Sequence, residues 1–590
     1  MSLNHDLAEL FSTMADVMDI KGENAFKVLA FRKVARVLKD STLDVRRLVE
    51  EGRLDEVEGV GKSSRRIIEE FVRTGKSGDF DSLVAEVPSG LLPLLKVEGL
   101  GPKTIALLWK ERKIESEEDL RKAIESGLLD GLKGIGEKKI AAIRHGLDAR
   151  NRAAGRTGLA PALVLADEIV RRVIEMEGVA EAQVAGSLRR RRETIGDIDI
   201  IAALKRGAKG AEVAGAFARL PLVERVIACG TTKASVVAMG GVQVDLRIVP
   251  RQCFGAALMY FTGSKEHNVR LRSLAARRGW TLNEWGLYEA EAYEKAEKSV
   301  GEPPRLASLA GADEAGVYRK LGMGFIEPEL REDRGEVEAA LDGRLPDLVR
   351  IEDYRGDLHT HTTASDGQST LEQMVEAALE RGYRFLAITD HSRSSAVANG
   401  LDVPGLMKHI EAIRRVQDRY RDITLLAGSE VDILADGRLD YEDDVLAELD
   451  IVVASPHVAL KQDARKATDR MLRAIDNRYV NIIGHPTGRL IGGRDGLPLE
   501  MGEVVKAAAR AGVALEINAG WPRLDLSDVN ARTAVEAGAM LAIDTDAHAT
   551  DQLDQLRLGI AVARRAWAGK DRVVNCLDLP ALRRFLTRRR

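Results

Sequence analysis

Two aspartates spaced i, i+2 in Gly186 to Ile200 (GSLRRRRETIGDIDI) are the residues whose types and spacing point most directly to chemistry. On a strand, the two-residue period sends Asp197 and Asp199 to one face. Converging carboxylates repel, so they call for a shared proton or a divalent cation. The Gly-Ser turn and arginines just ahead of them suit an arriving phosphate, and together these groups outline a phosphoryl-transfer site. A third carboxylate stands in Val242 to Ile248 (VQVDLRI), where alternation puts Val242, Val244, Leu246 and Ile248 on one face and Gln243, Asp245 and Arg247 on the other. Asp197, Asp199 and Asp245 are expected to meet on adjacent strands; the plainer alternative is a solvated strand face. Between them, Gly230 to Val236 (GTTKASV) either sits beside the same site or forms a simple loop.

A second group lies beyond residue 350, where His359, His361, His391, His457, His485 and His548 stand at the ends of apolar segments. Any one of them would ordinarily be a satisfied core histidine. As a group they are not, because DLHTHTTASD, ITDH, GSEVDI, ASPH, IIGHPTGRL and IDTDAH each close a short apolar run with a ligand-type side chain. The intervening segments, such as Leu371 to Arg381 and Val504 to Gly512, read as helices. Strands alternating with helices, with ligands after the strands, predict an α/β barrel with its site at the strand C-termini.

The elements that must position these groups belong to several domains. The chain has 590 residues, 45% apolar and 31% charged, the profile of a multidomain globular protein. No apolar run reaches the roughly 18 residues of a membrane span, and MSLNHDLAEL has no signal-like character, so a cytoplasmic protein without membrane contact is expected. Cys229, Cys253 and Cys576 are too scattered for a disulfide framework or a thiolate zinc site. Net charge is -4, so any contact with DNA must be local.

Residues 1 to about 150 read as wholly helical, with a recurring Gly-aliphatic-Gly followed by lysine: VEGVGK (Gly59, Gly61, Lys62), VEGLGPK (Gly99, Gly101, Lys103) and LKGIGEKK (Gly134, Gly136, Lys138). Such a turn frees the backbone N–H groups of a following helix for phosphate. The motif resembles the helix-hairpin-helix, which grips the DNA backbone without reading sequence. A plain glycine turn explains one copy; three favour backbone binding. Residues 151 to 250 change to strands and helices, and 321 to 350 read as a charged helical linker.

GSLRR, GDIDI, VDLR and, further on, YFTGS (Tyr260 to Ser264), in that order and at these separations, closely resemble family X DNA polymerases, the DNA polymerase beta family, over residues 1 to 320. The resemblance implies that Asp197, Asp199 and Asp245 are catalytic and hold two magnesium or manganese ions during in-line nucleotidyl transfer. It implies nucleotide contacts from Gly186, Ser187, Arg190, Gly196, Tyr260, Phe261, Gly263, Asn268 and Arg272, and a 5'-phosphate contact from Lys27. Arg189, Arg191 and Arg192 are left unassigned, with a solvated charge as the plain alternative. Family members with deoxyribose-phosphate lyase activity carry a Schiff-base lysine where an ungapped match places Ile67, which cannot do that chemistry.

Residues 350 to 575 resemble the PHP (polymerase and histidinol phosphatase) domain. That resemblance implies a distorted (β/α)7 barrel with up to three zinc or manganese ions held by His359, His361, Asp366, His391, Glu430, His457, His485, Asp546 and His548, with Asp390 and Asp544 as supporting neighbours. The expected chain is a helical DNA-binding domain with a helix-hairpin-helix (1–80), a second helical subdomain with two more (81–150), an α+β nucleotidyltransferase palm (151–250), a nucleotide-selection subdomain (251–320), a linker (321–350) and a PHP phosphoesterase domain (351–590). The function expected is gap-filling DNA synthesis in repair from deoxynucleoside triphosphates on gapped or primer-template DNA. A 3'-to-5' exonuclease or 3'-end-processing activity is expected in the barrel, and the protein is expected to be a monomer. The alternatives are a barrel that hydrolyses a small phosphate ester or pyrophosphate, and a DNA-binding scaffold with an idle polymerase site.

Overall fold

The computed structural model describes residues 3–40, 45–54, 57, 59–97, 100–125, 128–129, 132, 135–136, 139–140, 143, 156–299 and 302–589. The chain forms two compact units, residues 1–154 and 155–590. The described part of the first unit is helical and includes α1 (Leu3–Lys21), α2 (Ala25–Asp40), α3 (Lys62–Thr74) and α4 (Pro102–Arg112). Apolar residues at three- and four-residue spacing on α1, among them Leu7, Phe11, Met14 and Val17, are buried in its core. Gly61 and Gly101 are the extended N-caps of α3 and α4, and Pro102 at the first helical position loses no hydrogen bond by lacking an N–H.

In the second unit, five strands make one sheet: β1 (Val179–Val184), β2 (Asp197–Leu204), β3 (Val223–Cys229), β4 (Lys233–Ala238) and β5 (Val242–Pro250). Their order is β1-β2-β5-β4-β3, and only β2 and β5 run parallel. Helix α5 (Leu159–Ile174) packs on β1 and β2 through Ala162, Ala166, Ile169 and Val173. Then come α6 (Gly186–Arg189), α7 (Phe254–Thr262) and α8 (Lys265–Ala276), followed further on by α9 (Glu314–Lys320) and α10 (Glu336–Leu341).

Residues 321–350, read from their charges as a linker, depart from that expectation. Leu321, Ile326, Leu330, Val337 and Leu348 share one apolar cluster with Met259 and Leu271, and two of the segment's charges are fully buried, Arg331 against Glu314 and Glu336 against His267. High charge content marks a solvated segment only while the charges lack partners.

Seven parallel strands then follow in sequence order: β6 (Gly356–Asp357), β7 (Phe385–Ile388), β8 (Thr424–Asp432), β9 (Ile451–Ser455), β10 (Ile482–Ile483), β11 (Ala514–Asn518) and β12 (Leu541–Asp544). Beyond the strands a parallel bridge between Thr360 and Ala547 joins the first to the last, so the sheet is a nearly closed barrel. Helices α11 (Leu371–Glu380), α12 (Val403–Gln417), α13 (Ala464–Asp476), α14 (Met501–Ala511), α15 (Asp528–Glu536) and α16 (Leu556–Arg565) surround it. Apolar runs such as Phe385–Ile388 are buried along their whole length, as strands covered on both faces must be. No described helix is long and apolar enough to cross a membrane.

Candidate active sites

Parallel pairing of β2 with β5 sets Asp199 opposite Asp245 and Asp197 opposite Gln243. Oxygens of Asp197, Asp199 and Asp245 lie within 4.8 Å of one another. Burial and the neighbouring Asp197 push the Asp199 carboxyl up to about 6. Burial also pulls Asp245 upward, but Lys233 Nζ, 2.6 Å from its Oδ2, and hydrogen bonds from Ser235 and Gln243 hold it below its usual value. Lys233 thus settles the open reading of Gly230 to Val236: β4 carries it beside the carboxylates. Three oxygen donors with unbalanced repulsion are a fitting seat for hard divalent cations.

The loop before β2 is held close to this triad. Gly186 has φ +61°, and a Cβ there would stand 2.6 Å from Asp199 Oδ2, so the turn takes glycine alone. Ser187 follows in α6. Arg190 donates from Nε to Glu332 Oε1 at 3.1 Å and from Nη1 to the Thr262 carbonyl. Gly263 lies against the same guanidinium, its φ being +67°. Phe261 lies under the Arg247 guanidinium at 3.9 Å and edge-on to Tyr260, and Asn268 Nδ2 donates to the Tyr260 carbonyl at 2.6 Å. Arg272 lies on α8 and Gly196 just before β2.

Arg189, left unassigned from the sequence, is not a solvated charge. Its guanidinium is 14% exposed and forms a two-pronged pair with Glu314 on α9, while Arg331 shares the same carboxylate. Arg191 and Arg192 are half-buried, the Arg192 side chain 41% exposed and 3.7 Å from Glu332. A run of four arginines looks like a solvated stripe; its partners, Glu314 and Glu332, lie more than a hundred residues downstream.

In the barrel, every expected donor converges at the C-terminal strand ends. His359 and His361 follow β6, His391 follows β7, Glu430 lies in β8, His457 follows β9, His485 follows β10, and Asp546 and His548 follow β12. Asp366 comes in on the loop after His361. Three groups of donor atoms, each within 4.8 Å, form here: His361, Asp366, His391 and His548; His359, His361, Glu430 and Asp546; and His391, Glu430 and His457. His485 stands outside these groups, but its Nε2 is 2.9 Å from Glu430 Oε1. Glu430, 0% exposed, is the hub, with His391 Nδ1 at 2.9 Å and His457 Nε2 at 3.2 Å.

The charges are arranged for cations. Burial opposes ionisation of Glu430, yet His457, His359 and His391 hold its carboxyl well below the usual range. Burial and the neighbouring His548 and His391 push His361 down to about 4, and burial with Arg523 pushes His485 to about 3, leaving both neutral as ligands must be. His361 Nδ1 and His485 Nδ1 are buried without a hydrogen bond, while His391 Nδ1 and Glu430 Oε2, and His361 Nε2 and Asp546 Oδ1, face each other at 2.9 and 3.0 Å without hydrogen-bond geometry. Orphaned buried polar atoms are rare, and their convergence here fits metal ligation. Mixed imidazole and carboxylate donors suit zinc or manganese.

Sequence reasoning missed Glu516 and Asp432, which orient the ligands. Glu516 accepts from His359 Nδ1 at 2.6 Å and from the His485 backbone at 2.5 Å; Asp432 faces His457 Nδ1 at 2.5 Å. Glu516 follows the apolar run Val513 to Leu515, the same signal that revealed the ligands, whereas Asp432 stands two residues after Glu430 on the same strand and shares its face. Asp390 binds Thr362, Ser365 and His409, and Asp544 binds the Leu358 backbone and Asn575. Both support the ligand loops from behind.

In the N-terminal unit, Gly59 has φ +84°, and nothing lies within 4 Å of where a Cβ would stand at Gly61, Gly101 or Gly136. Lys62 and Lys103 are exposed. Lys27 is exposed too, with Nζ 3.0 Å from Glu23. Gly99, Gly134 and Lys138 lie outside the described residues. Ile67 is 1% exposed within the helical core, an apolar packing residue where a lyase would need an amine.

Three family models match: a helix-hairpin-helix domain over residues 2–77, the DNA polymerase beta thumb over 257–332 and the PHP domain over 357–520. A Bacillus subtilis (strain 168) protein named DNA polymerase/3'-5' exonuclease PolX is 39% identical over 585 residues, 99% of each chain. Probable phosphatases of Shewanella sp. (strain ANA-3) and Thermoanaerobacter sp. (strain X514) are 33% and 29% identical over 40% and 39% of this chain, and 92% and 93% of their own. With a carboxylate triad on paired palm strands, a helix-hairpin-helix unit and a metal-donor barrel matched along the whole length of one relative, the chain belongs to the bacterial family X DNA polymerases that carry a C-terminal PHP domain.

Proposed function

We propose that this polymerase fills short gaps in DNA during repair and that its barrel removes or cleans nucleotides at the same primer 3' end. Asp197, Asp199 and Asp245 hold two magnesium or manganese ions; the nine barrel donors, from His359 to His548, hold up to three zinc or manganese ions. When bound, these cations neutralise developing charge and acidify the attacking oxygen. In synthesis the primer 3'-hydroxyl attacks the α-phosphate, a phosphodiester bond forms and pyrophosphate leaves. Ser187 and Arg190 bind the triphosphate, Gly186 and Gly196 let the backbone approach it, and Tyr260, Phe261 and Gly263 pack against the sugar. Asn268 and Arg272 face the nascent base pair. Exposed helix starts at Gly61, Gly101 and Gly136, with Lys62 and Lys103, take DNA phosphates, and Lys27 takes the downstream 5'-phosphate.

The observation that carries the polymerase reading is the register that sets Asp199 against Asp245 with Asp197 two residues away. Separate Asp197→Ala/Asp199→Ala and His359→Ala/His361→Ala variants test the division of labour on a labelled, gapped duplex with manganese. The first should lose nucleotide addition and keep primer degradation; the second should do the reverse. If the first pair still adds nucleotides, the polymerase assignment fails. The probable phosphatases matched across the barrel support a second reading, hydrolysis of a small phosphate ester. Turnover of p-nitrophenyl phosphate with an unchanged DNA primer would favour it.

A further inference from the structure

Arg565 ends α16 on the outside of the barrel and is 3% exposed. Nη1 donates to the backbone carbonyl of Arg190 at 2.7 Å and to Glu332 Oε1 at 3.0 Å, and Nη2 donates to Asp528 Oδ2 at 2.8 Å. The same Glu332 oxygen accepts from Arg190 Nε at 3.1 Å. One barrel side chain therefore grips both the backbone of Arg190 and the carboxylate that aims its guanidinium. A second barrel side chain holds the same loop three residues on: Arg489 donates from both terminal nitrogens to Glu193, at 3.1 and 2.5 Å.

We propose that Arg565 is a positioning residue for the polymerase centre: by fixing Arg190 it sets how tightly the palm takes a nucleoside triphosphate. This rests on the reading of Arg190 as a triphosphate contact. The fork spreads its donors over two nitrogens, Nη1 for the carbonyl and Glu332 and Nη2 for Asp528, a geometry that the single ammonium of lysine matches only in part. Because the triphosphate is bound before and during transfer, a displaced Arg190 weakens ground state and transition state alike, which raises KM and spares kcat.

The test is steady-state gap filling by the full-length protein with Arg565→Ala, Arg565→Lys and Arg190→Ala, with primer degradation and the melting temperature measured on the same preparations. Arg565→Ala should raise KM for the incoming nucleotide by about tenfold or more with kcat within about twofold, and Arg565→Lys should fall between it and wild type. Primer degradation should be unchanged in both. If Arg190→Ala raises KM while neither Arg565 variant does, the proposal falls and the triphosphate reading stands. If Arg190→Ala leaves KM unchanged, the triphosphate reading itself falls, and the proposal with it. A joint loss of synthesis, degradation and melting temperature in both Arg565 variants, with KM flat, would mean a purely structural clamp and overturn the proposal.

Discussion

Stripping divalent cations from the full-length protein should lower the melting temperature of the barrel. His361 Nδ1 and His485 Nδ1 are buried without hydrogen bonds, and His391 Nδ1, Glu430 Oε2, His361 Nε2 and Asp546 Oδ1 meet only each other, without hydrogen-bond geometry. Each such atom costs about 1–3 kcal/mol when nothing pairs with it. A cation bound only by the folded state stabilises it by about 2.7 kcal/mol at a hundredfold excess over its Kd. For a domain of this size, 1 kcal/mol moves the midpoint by about 2–4 °C, so one saturated site should raise it by about 5–10 °C. The assay is thermal unfolding followed by circular dichroism, comparing protein dialysed against a chelator with the same protein after manganese or zinc is returned. His359→Ala/His361→Ala should lose most of the metal-dependent shift, because these two histidines serve two of the three donor groups. A midpoint that moves by less than about 2 °C on metal return, or moves equally in the double variant, would falsify the ligand assignment.

Other outcomes follow from single contacts. Gly186→Ala must displace either the loop or Asp199, which its Cβ would meet at 2.6 Å. Nucleotide addition should fall on the order of 100-fold while primer degradation holds, and unchanged gap filling would contradict the close approach. Glu516→Gln removes the charge behind His359, so metal affinity of the barrel should drop by about 10- to 100-fold, read by competition with a chelating dye. Buried His267 is pushed below its usual pKa by desolvation, against the pull of Glu336, and sits as a neutral ring donating from Nδ1 to that carboxylate. Its folded pKa lies below its unfolded one, so the unfolded chain takes up the proton first. Stability is full above about pH 6.5 and lost as pH falls. Glu336, also held low, extends the loss at more acid pH. Urea midpoints at pH 7.5 and 5.5 should differ less in His267→Gln than in wild type; an equal drop would place the acid sensitivity elsewhere.

Some of the site could be read from local spacing alone. The i, i+2 aspartates of GDIDI share a face because strands repeat every two residues, and the barrel donors were visible because a parallel strand buried on both faces is an uninterrupted apolar run whose end is conspicuous. The helix starts after Gly61 and Gly101 were legible for the same reason: backbone periods and caps are properties of a few neighbouring residues. Register and long-range charge pairing were not. Asp245 could be named as a third carboxylate, but only the pairing of β2 with β5 sets it opposite Asp199. Arg189 has no evident role in the sequence until Glu314 pairs with it, and nothing local shows that Glu332 meets Arg190. The burial of Arg331 and Glu336, the support of His359 by Glu516 and the grip of Arg565 on the Arg190 loop are of the same kind. Each depends on which groups meet after packing, and a charge is solvated or structural according to partners that sequence distance conceals.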